Sequence, residues 1–143
     1  MRLNIKRLFE KAVLPEYATD GSAGMDLRAL DACRIAPGGT GLVRTGIAAE
    51  IPEGYVGLVC ARSGLASKKG LAPANKVGVI DSDYRGEIMV ALHNHSGSEG
   101  EIAEGERIAQ LLIMPVARCE VTEVAELSDT LRGEGGFGST GQK

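Results

Sequence analysis

The stretch L-V-R-T-G-I-A-A-E-I-P-E-G-Y-V-G-L-V-C, from Leu42 to Cys60, decides the fold. Its aliphatic and β-branched residues fall into two runs, Leu42 to Ile51 and Tyr55 to Cys60, parted by Pro52-Glu53-Gly54. Proline fixes φ and glycine frees it, so the interruption reads as a turn and the runs as short strands. Outward from there, Glu87 to His93, Arg107 to Val116 and Cys119 to Val124 repeat the signal, the last by alternating polar and apolar residues. Pro37-Gly38-Gly39, Ser96-Gly97-Ser98 and Glu104-Gly105 supply further turns. Many short strands at this spacing predict an all-β chain, a jelly-roll β-sandwich or barrel. Helix is expected only over Gly64 to Lys69, with Ser63 as N-cap, too short to be an element of the core.

The 143 residues suit one domain, and 43% hydrophobic with 24% charged residues excludes a disordered chain. With no Trp, 3 Tyr and 2 Phe, the core must be aliphatic. A net charge of −3 gives no electrostatic reason for nucleic acid or an anionic membrane as partner. No apolar run reaches the length of a membrane span, and the start lacks a signal-peptide apolar region, so the expected compartment is the cytoplasm. Cys33, Cys60 and Cys119 are too scattered for a disulfide framework or a metal cluster and are expected to be half-buried thiols. From Arg132 to Lys143, glycine takes five of twelve places around the lone ring of Phe137, which predicts a flexible tail, 132–143, after a body of 1–131.

Four segments of the body carry chemistry. Ala61-Arg62-Ser63-Gly64-Leu65-Ala66 ends a strand with a guanidinium, a hydroxyl and free N–H groups, the donor set of a phosphate site. Gly78 to Glu87 sets Asp81, Asp83, Glu87 and Tyr84 on an expected β-hairpin, where such close carboxylates need a water, a cation or an Arg to relieve them. Gly105 to Gln110 enters the most apolar strand, where alternation sets Arg107 apart from Gln110, and a Gln there needs a hydrogen-bond partner. Ala23 to Ala29 buries Asp26 among apolar neighbours, which is costly unless it is paired. Gly133 to Gly138 also satisfies G-x-G-x-x-G, but too little chain follows for a helix to receive a phosphate.

In this order the segments resemble the five signature motifs of the homotrimeric dUTP pyrophosphatases (dUTPases): A-G-M-D-L at 23 to 27, R-S-G-L-A at 62 to 66, G-V-I-D-S-D-Y-R-G at 78 to 86, G-E-R-I-A-Q at 105 to 110 and R-G-E-G-G-F-G-S-T-G at 132 to 141. The resemblance implies a jelly-roll subunit in a homotrimer whose active sites draw on all three chains. It also implies hydrolysis of dUTP to dUMP and pyrophosphate, with Mg²⁺ held mainly by the triphosphate. A dCTP deaminase or a non-enzymatic nucleotide sensor on the same fold is the rival, and the intact tail and Asp81 speak against both.

Roles follow from the resemblance, motif by motif. Asp81 is expected to be the general base that activates the attacking water. Tyr84 packs on the deoxyribose and refuses a 2′-hydroxyl, while the backbone of Gly78, Val79, Ile80 and Met89, with the amide of Asn75, reads the uracil edge. Arg62, Ser63, Gly64 and Gln110 are assigned to the phosphates. In the tail, Phe137 and Gly138 cover the uracil, and Arg132, Ser139 and Thr140 bind the γ-phosphate. Asp26 is expected to hold the metal's water shell or an Arg network.

Overall fold

A computed structural model describes residues 1–136. Twelve strands and one helix follow in the order β1 (Asn4–Arg7), β2 (Glu16–Tyr17), β3 (Met25–Arg28), β4 (Cys33–Ile35), β5 (Thr40–Arg44), β6 (Ile47–Glu50), β7 (Tyr55–Cys60), α1 (Ser63–Lys69), β8 (Leu71–Pro73), β9 (Gly78–Ile80), β10 (Met89–Asn94), β11 (Gly100–Ile102) and β12 (Arg107–Pro115). Every strand pair is antiparallel. The largest sheet runs β2-β3-β12-β7-β9, a second runs β5-β10-β8, and β1-β6 and β11-β4 form two-stranded ribbons. Among the described residues no helix is long and apolar enough to cross a membrane.

One aliphatic core joins the sheets. Leu27, Ile47, Ile51, Leu71, Leu92, Ile102, Ile108 and Leu111 are almost fully buried, and each contributes about 1.5–3 kcal/mol relative to exposure. Alternation in β7 and β12 turns Val59, Ala109 and Leu111 inward and leaves Val56, Leu58, Leu112 and Met114 on an outer face that is only part covered. That outer face is apolar and only part packed by the described residues.

Four expectations need correction. The run Leu42 to Ile51 is two strands, because the chain turns a corner at Thr45-Gly46 and β5 and β6 enter different sheets. Gly46 has φ of 71°, and a Cβ there would lie 2.8 Å from Leu30 Cδ1 and 2.9 Å from Ala12, so only glycine fits the corner. Gly78 to Glu87 is no hairpin: β9 pairs with β7 and β10 with β5 and β8, so residues 81–88 form a strap from one sheet to the other. Cys119 to Val124 is not a strand but exposed and irregular chain, since no strand among the described residues pairs with it, and Cys119 is exposed rather than half-buried. The helix is capped by Arg62, without a side-chain bond, and not by Ser63; it ends at left-handed Gly70, and its Leu65 does join the core.

Candidate active site

The first functional region is a cleft of about 280 Å³ between the two larger sheets. Asn75, Gly78, Val79, Ile80, Asp81, Tyr84 and Met89 all line it. Among the described residues strand β9 is the last strand of its sheet, so one edge of its backbone has no strand partner there and presents N–H and C=O groups alternately. Such an edge suits a planar polar group with donors and acceptors of its own.

The strap 81–88 shapes the mouth of the cleft. The Tyr84 N–H bonds to the Asp81 carbonyl at 3.2 Å, and Arg85 Nη1 donates to the carbonyls of Ser82 at 2.6 Å and Tyr84 at 3.0 Å, which closes the turn. The Tyr84 ring folds back over Gly86, where a Cβ would lie 2.4 Å from the phenol oxygen, and its hydroxyl donates to the Glu87 carbonyl at 3.0 Å. Of the three acids, Glu87 is relieved by Arg44, whose Nη2 stands 2.8 Å away, and Arg85 lies 3.5 Å from Glu50. Among the described residues Asp81 and Asp83 make no ion pair. Asp81 is exposed and lines the cleft, and among the described residues its side chain makes no ion pair.

The second region lies where β7 runs into α1. Asp26 is 3% exposed, and it is paired, as its burial demands: Arg107 Nη1 donates to Oδ2 at 3.1 Å, and Arg62 Nε stands 2.9 Å from Oδ1. The Arg62 contact is an ion pair without an aligned hydrogen bond, for neither Oδ1 nor Nε finds a hydrogen-bond partner. Arg62 Nη1 also reaches the Arg107 carbonyl at 3.4 Å. Two guanidiniums against one carboxylate leave a local excess of positive charge.

A β-bulge makes this cluster possible. Arg107 pairs with Arg28 and Ala109 with Leu27, so β12 uses two residues where β3 uses one. The extra residue brings Arg107 to the face on which Gln110 pairs with Asp26 and Cys60, and the separation expected from strict alternation is thereby overturned. Behind the cluster, Lys69 Nζ donates to Glu106 Oε1 at 2.6 Å and to the Glu101 carbonyl at 2.8 Å, while the Ala103 N–H bonds Glu106 Oε2 at 2.9 Å. Burial pushes the Glu106 carboxyl up, but Lys69, the Ala103 N–H and nearby Arg62 together hold it below the ordinary carboxylate range. The end of α1 is thus tied to the residue before Arg107.

None of Arg62, Ser63, Gly64 and Gln110 lines the cleft. One chain keeps the two groups in separate places, which no local run of residues encodes. Arg44 and Lys69 were missing from the expected segments, and Glu87 and Arg107 stood in them without a role; the partners of all four are distant in sequence. In the tail, Arg132 Nε donates to the Gly135 carbonyl at 2.8 Å; Phe137, Gly138, Ser139 and Thr140 lie outside the described residues.

An all-β chain with a polar-edged cleft and a cationic cluster offers one surface suited to a planar polar group and one suited to anions. A family model described as dUTPase matches residues 10–141, and the chain belongs to that family. A deoxyuridine 5′-triphosphate nucleotidohydrolase of a Hydrogenobaculum species is 54% identical over 100% of both chains. The enzyme of that name from Nautilia profundicola is 52% identical over 99% of this chain and 100% of its own. Among solved structures, a dUTPase of Staphylococcus bacteriophage 80alpha with dUpNHpp superposes with a TM-score of 0.92 at 32% identity, over 98% of each chain. A dUTPase of phage phi11, described as revealing the coordination of a structural Mg(II) ion, gives 0.82 at 29% identity over 88% of this chain and 98% of its own. The all-β jelly-roll expectation holds.

Proposed function

The chain hydrolyses dUTP to dUMP and pyrophosphate, and we propose that Asp81 is the base. The observation that carries this reading is the cleft itself, where an unpaired strand edge, an amide, a tyrosine ring and a free carboxylate converge. The backbone of Gly78, Val79, Ile80 and Met89 and the Asn75 amide bond the uracil edge; cytosine would leave these groups unpaired. Tyr84 lies against the deoxyribose and excludes a 2′-hydroxyl. Asp81 orients and deprotonates the water that attacks the α-phosphorus. Arg62, Ser63, Gly64 and Gln110 bind phosphate oxygens and stabilise the charge that develops there.

Family membership and the phage enzyme's Mg(II) support a magnesium-dependent reaction. Among the described residues no three His, Cys, Asp or Glu side chains lie close enough to hold a metal. What the chain offers instead is Asp26, whose Oδ1 is buried without an aligned hydrogen bond. With both oxygens against guanidiniums it fits the Arg network rather than a metal's water shell, so an ion would be carried by the triphosphate itself and would neutralise phosphate charge there. Asp26 meanwhile holds Arg62 and Arg107 in place.

Because the cleft and the cationic cluster are separate in one chain, a complete site takes the cluster of a neighbour, and the assembly is a homotrimer. The part-covered apolar face of β7 and β12 and the nearly naked Val121 and Leu127 support such contacts. Residues 1–131 then form the catalytic body, and 132–143 close a neighbouring site, with Arg132, Ser139 and Thr140 on the γ-phosphate and Phe137 and Gly138 over the uracil. The three cysteines are free, in keeping with a cytoplasmic enzyme. Incubation with Mg²⁺ and dUTP, dCTP, dTTP or UTP, read as pyrophosphate release, should give rapid turnover of dUTP alone. Asp81→Asn should keep fold and binding while kcat falls about 10²–10⁴-fold; near-normal turnover would move the base to Asp83.

A further inference from the structure

The strap that carries Tyr84 hangs from one corner of the fold, and that corner is held by charge. Glu87 lies at its end with a side chain only 12% exposed. Its Oε1 accepts from Arg44 Nε at 3.2 Å and from the Gly46 N–H at 2.8 Å, and its Oε2 accepts from Arg44 Nη2 at 2.8 Å. The fork is bidentate, so it fixes orientation as well as distance. Arg44 is itself held: the Phe9 ring stacks on it with 4.5 Å from the guanidinium carbon to the ring centroid, and it sits opposite Met89 in the β5–β10 ladder. Beside it, the Ile88 N–H bonds to the Ile47 carbonyl at 2.8 Å, and the Thr45 hydroxyl donates to the Ile88 carbonyl.

We infer that the Arg44–Glu87 pair is a positioning and specificity-determining element, which holds the Tyr84 ring where it can tell deoxyribose from ribose. The inference rests on the reading of Tyr84 as the sugar contact. Tyr84 has few other anchors: it is 43% exposed, its hydroxyl bonds to the carbonyl of Glu87 itself, and Gly86 beneath the ring supplies no side chain to wedge it. Movement of Glu87 therefore moves the phenol oxygen and the ring with it. A 2′-hydroxyl differs from hydrogen by a single atom, so a shift near 1 Å is enough to admit it. Asp81 stands at the other end of the strap, held through the Tyr84 N–H and flanked by the Arg85 bonds, which do not depend on Arg44. Loss of the pair should thus loosen the sugar reading more than the chemical step.

The experiment measures kcat/KM for dUTP and UTP in the full-length Mg²⁺-loaded enzyme and in Arg44→Met, Arg44→Lys, Glu87→Gln and Tyr84→Ala. Arg44→Met should lower the dUTP-to-UTP ratio by at least about 10-fold, with kcat for dUTP close to the parent. Glu87→Gln, which keeps its shape and an acceptor for Gly46, should show the same trend more weakly, and Arg44→Lys should restore part of the ratio. If Arg44→Met does not fold, Glu87→Gln decides. A ratio that Tyr84→Ala leaves unchanged overturns the sugar reading and the brace with it. A ratio that Tyr84→Ala moves but folded Glu87→Gln and Arg44→Met do not overturns the brace alone.

Discussion

The cleft beside β9 and the cluster around Asp26 solve opposite problems. The cleft is built from strand edge and neutral groups, and its one free charge, Asp81, has no ion-pair partner among the described residues. The cluster is built from charge: a buried carboxylate stands between two guanidiniums, with a Lys–Glu tie behind it. A base is recognised by geometry, which backbone supplies without mobile side chains. A triphosphate is recognised by charge, which only long cationic side chains can bring, and these need an acid to hold them while the site is empty. Hence the buried Asp26 serves more to orient Arg62 and Arg107 than to add stability, since desolvation offsets much of the attraction in such pairs.

The comparison breaks most severely if the tail does nothing, because the cleft and the cluster would then have to complete the site alone. Truncation after Leu131 should leave the melting temperature nearly unchanged, as residues 132–134 are exposed, 135 and 136 are half-buried, and all five make only local bonds among the described residues. Turnover should suffer: kcat/KM for dUTP is expected to fall at least about 10²-fold, the cost of two lost contacts of roughly 1.5 kcal/mol each. Full activity in the truncated enzyme would make the tail a spacer.

A smaller effect separates the two regions by pH. Glu106 is held below the ordinary carboxylate range, so the stability it contributes is present at neutral pH and is lost as pH falls through its lowered value. Thermal unfolding followed from neutral to acid pH should therefore show a shallower acid loss in Glu106→Gln than in the parent. Identical acid limbs would mean that the Lys69 tie carries no net stability.

Much of this was legible in the chain, and the failures have physical reasons. Tyr55 to Cys60 is the strand the pattern predicts, and Arg107 to Val116 exceeds its strand by one residue, because a long apolar run between turns has few other ways to satisfy its backbone. The need for a partner at Asp26 was legible from burial alone, but its partners were not: Arg62 and Arg107 lie far along the chain, and alternation places Arg107 on the wrong side unless the bulge is known. The strap was misread as a hairpin because two apolar runs around a turn look alike whether they join one sheet or cross between two. Cys119 to Val124 alternates like a strand, yet alternation describes faces and not partners. The proposed site residues rest on motif, whereas the Arg44–Glu87 and Lys69–Glu106 pairs beside them carry no local signal.

The central claim is that each active site joins the cleft of one chain to the cationic cluster of another. Asp81→Asn inactivates the cleft, and Arg62→Gln inactivates the cluster, so each variant alone should form trimers with little dUTPase activity. Co-expressed or co-refolded, the two should form mixed trimers in which an intact cleft meets an intact cluster, and pyrophosphate release from dUTP should reappear. Activity that stays at the level of the separate variants at every mixing ratio, with mixed trimers present, would contradict the shared site and place both halves of the chemistry within a single chain.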